Sequence, residues 1–180
     1  MASLLVAGAG CGPRVENEEM YWRNSQKDMA ELGARWPGFK ELLEGRLQKA
    51  KPLWEAALAV GDTKQKAQQM KEANAALKDG LLTRLVEVKS KSEGITSTIR
   101  KMNELRIPAS FGSRRRDATA AAQRSIDDVD TAMRAAKPAS EEQALKLLEE
   151  QISKLLWDGA AADRAYSGLK PEPEKKAKKK

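Results

Sequence analysis

Histidine is absent from this 180-residue chain. The usual general base near neutral pH and the commonest metal ligand go with it. The single cysteine, Cys11, leaves no internal disulfide to form and no zinc pattern to assemble. Carboxylates are plentiful, and Asp127, Asp128 and Asp130 form a small acidic cluster. A calcium site wraps its oxygen ligands in a loop around a turning glycine, whereas these three fall in a helical stretch. Glu141 with Glu142, and Glu149 with Glu150, have the pattern of solvated helix faces. Di-iron bundles require histidines beside their glutamates. The small residues at 7–12 lack the lysine of a phosphate loop. No catalytic residue, metal site or cofactor site is assigned, and the expectation is a non-enzyme.

Two features suit contact with an anion or a partner. Arg114, Arg115 and Arg116 stand where a helix should begin, at the end whose dipole disfavours cations. A local rule broken in this way marks either a binding spot for phosphate or acidic groups or three simply solvated side chains. Trp157 lies about 140° from Ile152 on a helical wheel, off the apolar stripe. Tryptophan is a favoured interface anchor, although a small shift of helix phase returns it to the core.

Cys11 has a second reading. Residues 2–10 are small or apolar without a charge, and Arg14 and Glu16 bring the first charges just after the cysteine. This segment resembles the end of a bacterial lipoprotein signal peptide. The resemblance covers about a dozen residues. It departs from the family pattern at Gly8, where leucine is preferred, and in having no basic segment and a short apolar one. It implies cleavage after Ala9 and Gly10. Cys11 then becomes the acylated first residue, carrying palmitate-type chains. Gly12, in place of aspartate, implies sorting to the outer membrane, facing the periplasm. No other segment supplies the roughly 20 apolar residues of a membrane span, so any strong anchor is the lipid.

The formal net charge is +7, and the Lys-rich tail at 170–180 holds +4 of it. The remainder is only mildly basic, which argues against nucleic acid as a partner. The tail itself suits contact with anionic lipid heads or cell-wall polymers. It has no apolar residue but Ala177, so disorder is expected there.

Ala, Leu, Glu, Lys, Gln and Arg dominate the rest, and these are helix formers. A first helix is expected from about Glu18 to Arg35, interrupted at Pro37 and Gly38. The stripe resumes as Phe39, Leu43, Leu47, Ala50, Trp54 and Ala57, with a kink at Pro52. Gly61 ends it and Asp62 caps the next. Met70, Ala73, Leu77, Leu81, Leu85, Val88, Ser92, Ile95, Ile99 and Met102 then predict one long helix over 63–105. Pro108 breaks the chain. A third helix spans about 114–136. A fourth follows Pro138, opened by a Ser140–Gln143 capping box.

The expected architecture is all-α: an elongated up-and-down antiparallel bundle, or coiled-coil hairpin, of about four helices. The division is a signal segment at 1–10, a tether at 11–19, the bundle at 20–169 and the tail at 170–180. The leading functional expectation is a helical envelope lipoprotein with a structural, adaptor or chaperone-like role toward a protein partner. The alternative is a cytoplasmic coiled-coil assembly factor or secretion chaperone. Either admits a homodimer.

Overall fold

The computed structural model describes residues 12–170. Cys11, where lipidation is expected, the expected signal segment at 1–10 and residues 171–180 of the tail lie outside them. The described residues form six α-helices and no strand. The helices are α1 (Val15–Arg35), α2 (Lys40–Leu58), α3 (Thr63–Lys78), α4 (Leu81–Glu104), α5 (Gly112–Ala135) and α6 (Glu141–Leu169), with 3-10 turns at Pro37–Phe39 and Ala109–Phe111. The chain is an all-α helical bundle.

Polar pairs fix the helix directions. Glu18 meets Asn74, Tyr21 lies under Lys78, and Glu31 pairs with Lys89 at 2.6 Å. The sequence offset is nearly constant, so α1 runs parallel to both α3 and α4. Ile95 beside Gly159 and Thr98 bonded to Asp163 make α4 and α6 parallel. Ser125 with Asp158 and Asp128 with Lys154 make α5 antiparallel to α6. Down the chain the bundle reads as up, down, up, down, up, with α3 and α4 sharing one long ascent.

That ascent corrects the expectation of a single helix over 63–105. The helix is interrupted at Asp79 and Gly80, where Gly80 adopts φ +82. A side chain is strained in this region, and glycine is not. The apolar seam nevertheless stays in phase across the break. Met70, Leu77, Leu81, Leu85, Val88 and Met102 are all buried. α1 lies alongside as a splint, touching α3 through Glu18 and Tyr21 and α4 through Glu31. The covering of the seam is shared: α2 packs chiefly on α3, and α5 and α6 pack on α4. Each fully buried leucine along it contributes about 1.5–3 kcal/mol relative to exposure.

Other boundaries move for local reasons. α1 begins at Val15, so the tether is shorter than expected. Arg14 gives no side-chain cap, but Glu16 and Glu18 place acid in the first turn, where the helix dipole favours it. α2 continues to Leu58 through Pro52, which lies on its exposed side. Asp62 caps α3 by accepting from Gln65 N at 2.8 Å. Ser140 accepts from Gln143 N at 3.3 Å, and Gln143 Oε1 accepts from Ala139 N at 3.0 Å. Gly38 is required by packing, since a Cβ there would stand 1.9 Å from Ala136 O.

One core unites these helices. Trp36, Phe39, Leu43, Leu77, Leu81, Leu85 and Val88 belong to it, with Trp54 packed at its margin. Trp22 stacks on Trp54 with ring centroids 4.6 Å apart, which fixes the start of α1 against the end of α2.

Candidate functional site

The three arginines do not act as a unit. α5 starts at Gly112, so they stand within about its first turn, and no acidic residue shares that turn. Arg115 Nη1 donates to Leu105 O at 3.2 Å. It thus neutralises a free carbonyl at the end of α4, and the unfavourable placement has an internal reason. Arg114 lies 5.6 Å over the Phe111 ring, and Arg116 is exposed. Arg114 also lines a recess with Gly168 and Leu169 at the end of α6, some three turns from Trp157. The two contact candidates of the sequence are therefore separate.

Trp157 projects from α6 and is 75 % exposed. Leu156 beside it is also exposed. The opposite face of α6, through Leu148, Ile152, Leu155 and Ala162, fills the core.

The three acids of the cluster go to different partners. Asp127 accepts from Gln123 Nε2 at 2.9 Å, and Asp128 pairs with Lys154 at 3.1 Å. Asp130 takes Arg35 Nε at 3.0 Å and Trp36 Nε1 at 3.1 Å on one oxygen, and Arg134 Nε at 2.7 Å on the other. Burial works against the Asp130 charge, but the Trp36 N–H and the Arg35 and Arg134 guanidinium groups outweigh it and lower its pKa. The arrangement ties α1 to α5. It holds its carboxylate with donors on both oxygens, which is the chemistry of a joint between helices.

Two surface features were not legible in the sequence. A groove of about 520 Å³ runs between α1 and α2, lined by Met29, Ala30, Ala34, Pro37, Leu43 and Leu47. Met29, Leu43 and Leu47 belong to stripes that read as core, and Lys40 and Glu44 also border the groove. The second is a set of exposed apolar side chains near where α1 begins and α2 ends. Met20 and Tyr21 on α1, and Leu53 and Leu58 on α2, are all exposed. The Trp22–Trp54 stack holds them at one end of the molecule.

The fold and its contacts define a helical bundle whose polar interior groups join helices. No family model matches the chain, and no curated protein or solved structure does.

Proposed function

We propose that the chain is a non-enzymatic helical lipoprotein of the bacterial envelope, acting through protein–protein contact as a structural, adaptor or chaperone-like part. The observation that carries this reading is a group of exposed apolar side chains, Met20, Tyr21, Leu53 and Leu58. They lie at the end of the bundle from which the chain leads back to Cys11. Only residues 12–14 separate Cys11 from α1, a reach of about 10–13 Å at full extension. Acyl chains on Cys11 would therefore hold this end of the bundle against the headgroups. There exposed Met, Leu and Tyr side chains gain apolar contact, and tyrosine suits the interface.

No helix among the described residues is long and apolar enough to cross a membrane, so the lipid is the anchor in this reading. The direction of α6 carries Lys170 to the far end of the bundle. The lysine tail would thus meet a cell-wall polymer or a facing surface more readily than the anchoring bilayer. The groove between α1 and α2 supports a role in contact with a protein partner.

The test is to express the gene with its natural upstream sequence, fractionate the cells and determine the mass of the mature N-terminus. An acylated cysteine as first residue, with loss from the membrane fraction on Cys11→Ser, is the expected result. If Cys11→Ser changes neither mass nor location, the cytoplasmic assembly-factor reading replaces this one.

A further inference from the structure

The outer face of α6 carries a stripe that the fold does not use. Lys146, Glu150, Ser153, Trp157, Ala161 and Arg164 follow one another at steps of three and four, and all are exposed. At about 100° per residue they fall within some 40° of the Trp157 direction. Trp157 stands at the centre, 75 % exposed, in a chain with only eight aromatic residues among 180. Glu150 and Arg164 lie seven positions to either side, about 10 Å along the axis. Among the described residues neither has an ion-pair partner, whereas Lys154 on the same helix is taken by Asp128.

This pattern is self-complementary in one orientation only. We infer that α6 pairs with α6 of a second copy of this chain, antiparallel, about a two-fold axis at Trp157. Each Glu150 then faces the partner's Arg164, giving two equivalent ion pairs flanking the centre. Each Ser153 faces the partner's Ala161, and these small residues make room for the two indoles. A parallel pairing would set Glu150 against Glu150 and Arg164 against Arg164, which charge disfavours. Burying an indole removes about 150–250 Å² from water, and exposed Leu156 adds apolar area beside it. The contact is isologous, so it closes at two copies.

The pairing is independent of the lipid reading, and geometry links the two in one respect. An antiparallel pair carries its two α1 starts at opposite ends. Two molecules anchored in one leaflet cannot pair this way, whereas two anchored in facing surfaces can.

The test uses the full chain with Cys11→Ser, which removes both acylation and thiol-linked dimers. Sedimentation should show a concentration-dependent dimer at about 10–100 µM. Trp157→Ser should weaken dimerisation at least about tenfold, with no change in melting temperature at concentrations where both proteins are monomeric, because the side chain is outside the core. Arg164→Glu should do the same by placing acid against acid. Adding Glu150→Arg to that variant should restore the dimer. A monomer throughout this range overturns the inference. So does a dimer indifferent to Trp157→Ser, or a double reversal that stays as monomeric as the single one.

Discussion

The indole N–H of Trp36 donates to Oδ1 of Asp130 at 3.1 Å, joining residues 94 positions apart. Arg35 reaches the same oxygen at 3.0 Å while its guanidinium lies 5.0 Å over the Trp36 ring. A single carboxylate therefore fixes the end of α1 to α5, and the turn into α2 starts from that fixed point.

Replacing Asp130 with Asn should cost about 2 kcal/mol at neutral pH, because charge-assisted bonds to two arginines are lost. The folded-state pKa of Asp130 is depressed. Its contribution is therefore complete above the unfolded aspartate value of about 3.9. It is lost as pH falls through the lower folded value. Urea unfolding across a pH series should show a constant gap between the two proteins at neutral pH that narrows in acid. A gap that does not change with pH would mean that the charge of Asp130 contributes nothing.

Gly80 and Gly94 should respond to alanine with opposite sign. At Gly80 the backbone is at φ +82, and a Cβ would stand 3.1 Å from Arg46 Nη2 and 3.2 Å from Glu141 Oε1. Gly80→Ala should destabilise by about 1–3 kcal/mol. Gly94 lies within α4, and a Cβ there meets nothing within 4 Å. Gly94→Ala should stabilise by roughly 0.5–1 kcal/mol from helix propensity alone. Thermal melts of the two variants decide the matter, and equal shifts would show that the break at Gly80 is not a constraint.

The stripes were legible because burial imposes a period. The sequence identifies Leu81, Leu85, Val88 and Ile95 as one seam, and all four are buried. The break at Gly80 was not legible. A glycine inside a helix costs only about 1 kcal/mol, and Gly80 lies off the seam, so nothing local separates a tolerated glycine from a break. A Cβ there would meet the Arg46 and Glu141 side chains, distant in sequence. The long-range pairs were hidden for the same reason. Asp130 reads as one of three clustered acids, and only the packing of the Pro37–Phe39 turn on α5 brings it to Arg35. Arg115 reads as a cation at the wrong helix end until α4 brings Leu105 O within reach.

The seam itself predicts a graded response. Leu81 is fully buried, and Leu81→Ala should cost about 2–5 kcal/mol. Leu53 is half exposed on α2, and Leu53→Ala should stay within about 0.5 kcal/mol of the parent. Denaturant midpoints at constant slope measure both. A loss below about 0.5 kcal/mol for Leu81→Ala would remove it from the core.

Arg46 joins three elements with one side chain. Its Nε donates to Glu141 Oε2 at 3.1 Å, its Nη2 pairs with Glu141 Oε1, and its Nη1 donates to Ala76 O at 3.0 Å. α2, the end of α3 and the first turn of α6 meet there, with both side chains less than a third exposed. The fork is planar and fixed, so lysine cannot reproduce it. Arg46→Lys should cost about 1–2 kcal/mol even though the charge is kept. A double-mutant cycle of Arg46→Ala and Glu141→Ala should give a coupling of about 1–2 kcal/mol, in the range of contacting pairs. The cost of Arg46→Ala alone should exceed that coupling, because the Ala76 carbonyl loses its donor as well. A coupling below about 0.3 kcal/mol would place the pair among ordinary surface ion pairs.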